Sequence, residues 1–246
     1  MSGGIVGGEE AERFGRLVRH YKMSVSAGTL AQAWARQENA PHGATVVVDR
    51  EVSPLGRHGR LWATPAEQTL ACAVVLRPPL PAEQADMSWL VGGLAAVEGG
   101  EAASGRTLAT WWPDAVVDQD SGAPVGSIRA EVQLGPGQVR SAVVTVRLDL
   151  AAMGVDPAMR DAVLEPFLRS IDDITGRLGE GTAGVAAAYE RRCGLLDRRV
   201  KVRLLPKGET RGIARRIDRM ARLELESGTG MVERISVDAL RELEVV

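Results

Sequence analysis

Residues 44–76 read ATVVVDREVSPLGRHGRLWATPAEQTLACAVVL and decide the fold class of this chain. Two apolar, β-rich runs, 44–48 and 69–76, have the length and composition of buried strands. Between them, segment 55–62 carries two arginines, two glycines and a tryptophan. Glycine frees backbone amides and guanidinium groups donate paired hydrogen bonds, so this loop is suited to holding a carboxylate or a phosphate. A merely solvated loop has the same composition, and that alternative stays open here.

Sheet-forming patterns continue beyond this segment. Residues 114–117, 124–132 and 139–150 are strand-like and are separated by turn residues, which predicts an antiparallel meander. Near the end of the chain, four short strands follow one another closely, which favours a small barrel. These four strands are predicted over 200–205, 212–217, 221–226 and 231–236.

Helical spacing of apolar residues predicts the other elements. The predicted helices cover Glu9–Tyr21, Thr29–Gln37, Glu83–Val97, a long stretch after Asp156-Pro157, and Thr182–Arg192. The third of these is expected to end at the glycine pair Gly99-Gly100. The fold class is therefore α+β, with a mixed, mainly antiparallel sheet and packed helices. We expect two domains, 1–195 and 196–246, the second being the small barrel.

Composition excludes several classes of protein. The chain has 246 residues, 45% of them hydrophobic, and a formal net charge of -2, which is typical of a soluble globular protein. No apolar run approaches the ~18 residues that a membrane helix needs, and Met1–Gly4 opens no signal peptide. We therefore expect a cytoplasmic protein with no membrane contact. The cysteines and histidines share no metal-ligand spacing, so no metal site is expected, and Cys72 is interpreted as a small buried hydrophobe rather than a nucleophile.

The loop resembles the ligand loop of the biotin protein ligases, Gln-x-x-Gly-Arg-Gly-Arg-x-Gly-Arg-x-Trp. The second half of that pattern is present, whereas Glu51 stands at the glutamine and Pro54-Leu55 at the first Gly-Arg pair. The matching residues are Gly56, Arg57, Gly59, Arg60 and Trp62.

Four further segments are similar to motifs of the same family, in the same order. Ser26-Ala27-Gly28 stands at Ser-Thr-Asn, and Trp111-Trp112-Pro113-Asp114 at Lys-Trp-Pro-Asn. Residues 123–128, APVGSI, stand at Lys-Leu-Ala-Gly-Ile-Leu, and residues 145–149, TVRLD, at Gly-Ile-Gly-Ile-Asn. The C-terminal strands follow the family's small SH3-like domain. No helix-turn-helix precedes the first matching segment, so we expect no DNA-binding domain.

The resemblance implies a function as well as a fold. The family joins biotin to the α-phosphate of ATP, with Mg²⁺, and then transfers biotin to a lysine of a carrier protein. Biotin, ATP with Mg²⁺ and a biotin carboxyl carrier protein are therefore the expected ligands and partner, and a homodimer through the sheet is a further expectation. The predicted ligand-binding residues are Gly56, Arg57, Gly59, Arg60, Trp62, Trp112, Pro113 and Gly126.

The two motif lysines are replaced by Trp111 and Ala123, and the only lysines of the chain are Lys22, Lys201 and Lys207. Charge near the phosphates accelerates such chemistry by about 10²-fold or more per group. Arginines are the candidate substitutes, although the guanidinium fork differs in size and shape. Arg57, Arg60, Arg129 and Arg147 are the candidate arginines, and Asp114 is a further candidate charged group. Asp114 has two alternatives, a role in binding magnesium or the ligand, and a turn or strand-end carboxylate paired with an arginine. For Arg147 the alternative is an ordinary ion pair on a solvated or partner-covered strand face.

Three functions remain open at this point. The first is a biotin protein ligase-like pseudoenzyme, impaired in adenylation, that binds a ligand or regulates. The second is an active ligase for biotin or a related carboxylate that uses arginines. The third is a ligand-free interaction module whose pocket is filled by Trp111. The arginine-rich segment 198–222 has almost no aromatic residue to stack bases, which favours a surface for ATP or an acidic partner over specific RNA binding. The simplest interpretation is a charged face balanced by the acidic residues of 238–244.

Overall fold

The structure, a computed structural model, describes residues 8–246. The expectation about a signal peptide at Met1–Gly4 lies outside these residues. Two sheets and four α-helices make up the fold. The helices are α1 (Ala27–Gln37), α2 (Met87–Ser104), α3 (Arg160–Arg177) and α4 (Thr182–Arg192). Single 3-10 turns cover Arg57–Gly59, Ala66–Gln68, Ala82–Gln84, Pro157–Met159 and Leu178–Glu180.

The larger sheet has eight strands in the order β1-β2-β3-β4-β8-β7-β6-β5. Its strands are β1 (Glu9–Arg13), β2 (Arg16–Ser24), β3 (Thr45–Glu51), β4 (Thr69–Leu76), β5 (Leu108–Trp111), β6 (Ala115–Asp118), β7 (Pro124–Gly135) and β8 (Gln138–Asp149). Strands β2 and β3 pair in parallel, and the other pairs are antiparallel. This mixed, mainly antiparallel sheet with packed helices confirms the predicted fold class.

Two helical layers cover the sheet, one on each face. Helices α2, α3 and α4 cover one face and bury Phe167 and Tyr189. The shorter helix α1 covers the opposite face, where its Trp34 packs over β3 and β4. Both predicted strands around the Gly/Arg loop, the three-strand meander and helix α4 are confirmed. In the described part of the chain, no helix combines the length and apolar character needed to cross a membrane.

The predicted helix over Glu9–Tyr21 is wrong, because this segment is the hairpin β1–β2. Phe14 and Gly15 both adopt positive φ angles, 54° and 71°, and form the tight turn between the strands. Strand β2 also pairs with β3. Strand pairing in the folded chain therefore outweighs the helical spacing of three apolar residues.

The predicted end of α2 at Gly99-Gly100 is also wrong. The helix continues to Ser104 and ends at Gly105, which has a left-handed φ of 67°. Gly99 is required for packing instead, since a Cβ there would lie 2.8 Å from the backbone nitrogen of Phe167 in α3. A glycine inside a helix can thus mark a close helix–helix contact rather than a terminus.

The smaller, C-terminal sheet is antiparallel and consistent with an SH3-like domain. It has the order β12-β11-β10-β9-β13. Its strands are β9 (Arg199–Leu204), β10 (Glu209–Ile217), β11 (Leu223–Glu226), β12 (Val232–Ile235) and β13 (Leu240–Val245). The indole nitrogen of Trp112 donates to the carbonyl of Ala221, 2.9 Å away, and so joins this sheet to the larger unit. A domain boundary at 195/196 stays a prediction.

Candidate functional site

The Gly/Arg loop and strands β6 and β7 enclose a cavity of about 330 Å³. Its wall combines guanidinium, indole, carboxylate and hydroxyl groups with apolar side chains. The lining residues are Gly56, Arg57, Arg60, Leu61, Trp62, Ala63, Thr64, Asp114, Ala115, Pro124, Gly126, Ser127 and Ile128. The loop and the 123–128 segment, which lie far apart in the sequence, therefore meet at one place.

Six of the residues singled out from the sequence line this cavity: Gly56, Arg57, Arg60, Trp62, Asp114 and Gly126. The others, Gly59, Trp112, Pro113, Arg129 and Arg147, are not among the lining residues. Trp112 is 1% exposed and faces the C-terminal sheet, and Arg129 donates to Glu131 over 2.7 Å. Ligand binding by any of these residues stays a prediction.

Local backbone geometry shapes the loop. The amide of Gly56 donates to the carbonyl of Arg60 over 2.7 Å, and Leu55 and Leu61 form an antiparallel bridge. His58 and Gly59 both have positive φ angles, 54° and 72°, so the chain reverses direction within a few residues. Gly59 is thus placed by the turn, whereas Arg57 and Arg60 on either side of it point into the same cavity.

Arg57 is buried and holds the loop against two other parts of the molecule. Its Nε donates to Asp114 Oδ2 over 3.1 Å, and its Nη1 donates to the carbonyl of Leu240 in β13 over 2.5 Å. The His58 Nε2 atom lies 2.7 Å from the same Nη1. Between the two alternatives for Asp114, the structure therefore shows the arginine-paired carboxylate.

The residues around Asp114 do not assemble a magnesium site. Within residues 8–246, no group of three or more His, Cys, Asp or Glu side chains is placed to hold a metal ion. Magnesium prefers carboxylate oxygens in octahedral geometry. Asp114 instead has its charge balanced by Arg57.

Arg60, unlike Arg57, is not paired with a carboxylate in the described part of the chain. It is exposed, and within residues 8–246 no carboxylate forms an ion pair with it. Beside it, Trp62 is half-buried, and its Nε1 donates to Thr69 Oγ1 over 3.1 Å, which fixes the ring. The cavity therefore has one uncompensated cation and one oriented aromatic ring in its wall.

A buried ion pair between Glu51 and Arg147 lies next to this cavity. Arg147 forms the expected ion pair, but the two side chains are 3% and 2% exposed, so the expectation that Arg147 lies on a solvated face is wrong. Arg147 Nη2 donates to Glu51 Oε1 over 3.1 Å, and Nε donates to Oε2. Glu51 also accepts the Ala27 amide at the start of α1, and Arg147 Nη1 donates to the Leu55 carbonyl over 3.3 Å. Strands β3 and β8, helix α1 and the loop thus meet at this ion pair, with α1 bonded to the Glu51 carboxylate.

A second pair of replaced motif positions is also in contact. A Cβ atom on Gly28 would collide with Thr145 Oγ1, so the hydroxyl of Thr145 occupies space that any larger side chain at position 28 would need. Gly28 stands at a motif asparagine and Thr145 at a motif glycine. The two changes are complementary in volume, as Glu51 and Arg147 are complementary in charge.

Sequence reasoning missed the Glu51–Arg147 pair, although a signal for it existed. Both residues replace uncharged motif residues, a glutamine and a glycine, with opposite charges. The sequence does not show that they are neighbours, because 96 positions separate them. Trp111 was expected to fill the pocket in one hypothesis, but it packs beside Arg198, 5.3 Å from that guanidinium, and does not line the cavity.

Cys72 is fully buried in β4, and burial raises the pKa of its thiol to about 12. A thiol with this pKa is almost entirely protonated at neutral pH. The interpretation of Cys72 as a small buried hydrophobe is confirmed.

Comparisons with known proteins give the chain its relatives. No protein-family model matches it. The bifunctional ligase/repressor BirA of Bacillus spizizenii is 29% identical over 112 residues, which are 46% of this chain and 34% of that protein. The biotin–[acetyl-CoA-carboxylase] ligase of Mycobacterium tuberculosis is 27% identical over 199 residues, 76% of this chain and 74% of that protein. The matched part of the chain thus spans about a third of the length of the Bacillus relatives.

Solved structures agree with these relatives. The biotin protein ligase of Aquifex aeolicus in complex with biotin and ATP has a TM-score of 0.74 at 20% identity, over 93% of this chain and 99% of that one. A biotin protein ligase-like protein of unknown function from a Silicibacter species has a TM-score of 0.67 at 18% identity, over 87% and 93%. The predicted resemblance is confirmed: this chain is related by sequence to the biotin protein ligase family and has its fold.

Proposed function

We propose that this chain is a biotin protein ligase-like pseudoenzyme that binds a small anionic ligand and does not adenylate biotin. A binding or regulatory role follows for the protein. The observation that carries the proposal is the buried ion pair between Glu51 and Arg147, next to the cavity.

The Arg147 side chain occupies space that a glycine at this position would leave empty. Position 147 stands at a motif glycine, and here its side chain fills the interior between β3, β8 and α1. Its guanidinium group donates hydrogen bonds from Nε and Nη2 to Glu51 and from Nη1 to the Leu55 carbonyl, so all three nitrogens have partners within the protein. A ligand that entered this space would separate Arg147 from Glu51 and leave a buried carboxylate without its partner, which costs about 3–5 kcal/mol. A ligand that uses this space in glycine-containing relatives is therefore excluded here.

The cavity also has little of the positive charge that adenylation needs. Adenylation concentrates negative charge on phosphate oxygens, and no lysine lines the cavity. Among the candidate substitutes, Arg129 is paired with Glu131 and Arg147 with Glu51, while Arg57 is paired with Asp114. Arg60 alone of these arginines has no carboxylate partner among residues 8–246. One exposed cation can hold a carboxylate or phosphate ligand, but it supplies little of the charge that the family's lysines and magnesium supply.

The two other candidate functions, an active ligase and a ligand-free interaction module, are supported to different degrees by the cavity. An active ligase remains the second candidate, because Arg57 and Arg60 both line the cavity and could contact an anion. A ligand-free module is disfavoured, because the cavity of about 330 Å³ is open to ligands and Trp111 does not fill it. Biotin, ATP with Mg²⁺ and a carboxyl carrier protein stay the expected ligands and partner only under the active alternative.

The first test is a gain of function. The variant with Glu51→Gln and Arg147→Gly restores both motif residues, and we expect it to bind biotin in isothermal titration calorimetry while the wild type does not. The control variant, Glu51→Leu with Arg147→Met, removes the charges but keeps the space filled, and it should remain silent. Circular dichroism checks that both variants fold. Biotin binding by the wild type would contradict the argument that the Glu51–Arg147 pair excludes biotin from this space.

The second test separates binding from catalysis. Purified protein is incubated with biotin, ATP, Mg²⁺ and a biotin-accepting carboxylase domain, and biotin transfer is followed by mass spectrometry. We expect no transfer. Time-dependent labelling of the acceptor would establish the active ligase. A homodimer, the carrier as a partner and a cytoplasmic location stay predictions, and analytical ultracentrifugation with and without the acceptor domain tests the first two.

A further inference from the structure

Another cavity, of about 500 Å³, lies between helix α4 and the C-terminal sheet, and we call it the α4 cavity. It is larger than the cavity beside the Gly/Arg loop, and the two have no lining residue in common. Four arginines line it: Arg216, Arg219, Arg222 and Arg234. Three of them belong to the arginine-rich segment 198–222, to which the proposed function assigns no role.

The carboxylates in the wall of the α4 cavity already have hydrogen-bond donors. Asp218 accepts from Arg222 Nε over 2.8 Å, and Glu224 accepts from Arg234 Nε over 2.9 Å. Glu190, on α4, accepts a backbone amide of β10 over 2.9 Å. Arg222 and Arg234 are therefore paired within the wall itself.

Arg216 and Arg219 are the two arginines of the wall that have donors to spare. Both are exposed, and Arg219 forms no ion pair with any residue in 8–246. The Nε atom of Arg216 lies 3.6 Å from Glu190 and 3.8 Å from Glu224, beyond hydrogen-bond distance. Each guanidinium is a planar fork of N–H donors, so the wall offers more donors than its own carboxylates use.

A surplus of donors selects a ligand that is rich in acceptor atoms. A phosphate monoester has three strong acceptor oxygens and a charge of about −1.5 to −2 at neutral pH, more than a carboxylate offers. The guanidinium fork also matches the geometry of phosphate oxygens. Apolar surface beside the arginines comes from Ala183, Ala186, Ala187 and Met220. Among the described residues that line the cavity none is aromatic, so a nucleobase would have no ring to stack on.

We propose that the α4 cavity binds an organic phosphate monoester with a small aliphatic body. Arg216 and Arg219 hold the phosphate, and the alanines of α4 together with Met220 contact the aliphatic body. This site goes beyond the proposed function, because it is separate from the cavity beside the Gly/Arg loop. A ligand here contacts both α4 and the C-terminal sheet and so strengthens the packing between them.

The test is an NMR titration of the 15N-labelled full chain with n-butyl phosphate. Pentanoate is the matched probe, because a carboxylate replaces the phosphate on the same butyl chain. We expect butyl phosphate to cause saturable shifts in the amides of 183–190 and 217–222, and to bind about tenfold more tightly than pentanoate. Inorganic phosphate should bind more weakly than butyl phosphate, because it lacks the apolar contacts.

Variants of the exposed arginines then locate the phosphate. Arg216→Ala and Arg219→Ala should each weaken butyl phosphate binding about tenfold, because a charge-assisted hydrogen bond is lost. The amide spectrum of each variant checks its fold. Arg199→Ala is the matched control and should leave binding unchanged. Arg199 is also exposed and forms no ion pair within the described part of the chain, but it lies on β9, outside the wall.

Three results would overturn the proposal. A loss in Arg199→Ala equal to that in the other two variants would mean a general attraction of anions to the basic surface. Equal affinities for butyl phosphate and pentanoate would remove the preference for phosphate. An absence of saturable shifts in 183–190 and 217–222 would remove the site. All three leave the small-anion proposal for the loop cavity standing, because the two cavities share no lining residue.

Discussion

Arg60 lies in the Gly/Arg loop and Arg147 donates a hydrogen bond to it, but the two arginines differ in burial and in charge compensation. Arg147 is 2% exposed and its charge is balanced inside the protein by Glu51. Arg60 is exposed, and no carboxylate pairs with it in residues 8–246. Only an uncompensated cation is available to an anion from outside the protein. Arg147 therefore has a structural role in the interior, whereas Arg60 can bind a ligand at the surface of the cavity.

The largest expected effect comes from breaking the internal pair. Arg147→Ala leaves the buried Glu51 carboxylate without its cation, and we expect the free energy of unfolding to fall by about 3–5 kcal/mol. Urea denaturation followed by tryptophan fluorescence measures this loss. The double variant Glu51→Leu with Arg147→Met removes both charges and should be much less destabilised. Equal losses in the two variants would show that packing, rather than charge balance, is what Arg147 contributes.

Arg57 is intermediate between Arg147 and Arg60, since it lines the cavity but is paired with Asp114, and Arg57→Ala tests its role. It loses the bonds to Asp114 and to the Leu240 carbonyl, so we expect a destabilisation of about 2–3 kcal/mol. Hydrogen exchange should become faster in both the 55–62 loop and β13, because Arg57 joins them. Faster exchange in the loop alone would mean that Arg57 does not hold the loop to the C-terminal sheet.

Asp86 is a third case, a partly buried carboxyl group that forms no ion pair with any residue in 8–246. Burial, with a contribution from Asp238, raises its pKa from 3.8 to about 6, although a backbone amide at Val237 opposes the shift. The folded state therefore binds this proton more tightly than the unfolded state. The resulting stabilisation is complete below pH 3.8 and is lost as the pH rises through about 6.

Asp86→Asn should therefore raise the free energy of unfolding at pH 8 and have little effect near pH 4. We expect a gain of about 1–2 kcal/mol at pH 8, less than the full shift implies because the side chain is partly exposed. Asp238→Asn should give a smaller gain of the same sign. A gain that is independent of pH would contradict a titration of Asp86.

The same division explains how far the sequence predicts the molecule. Strands such as 69–76 are predictable because every residue is buried, all but Thr69 are apolar, and the sheet is covered on both faces. The β1–β2 hairpin is not, because its positive-φ turn at Phe14-Gly15 and its pairing with β3 depend on the folded chain. The role of Gly99 is not predictable either, since its close contact with α3 does not follow from the sequence of α2 alone.

At the site, local motifs place Arg57, Arg60, Trp62 and Gly126 in one cavity, because the loop and β7 are each recognisable segments. The hydrogen-bond partners of the arginines at this site, in contrast, are not predictable from local motifs. The pairing of Arg147 with Glu51 and the hydrogen bond from Arg57 to Leu240 join positions far apart in the chain. Whether an arginine is available to a ligand depends on such partners. The sequence therefore identifies candidate arginines but does not show which of them are already paired within the protein.

The smallest effect on stability, and the sharpest test of the comparison, is expected from Arg60→Ala. Because Arg60 is exposed and unpaired in residues 8–246, its removal should change the free energy of unfolding by less than about 0.5 kcal/mol. Its removal should nevertheless weaken the binding of a small carboxylate about tenfold, since a charge-assisted hydrogen bond is lost; isothermal titration calorimetry with octanoate as the probe measures this change. Exposed Arg36 on α1, which lies outside the cavity wall, provides the control: Arg36→Ala should change neither quantity. Unchanged octanoate affinity in Arg60→Ala would mean that the anion is held elsewhere, and the division between an internal and an external arginine would lose its functional meaning.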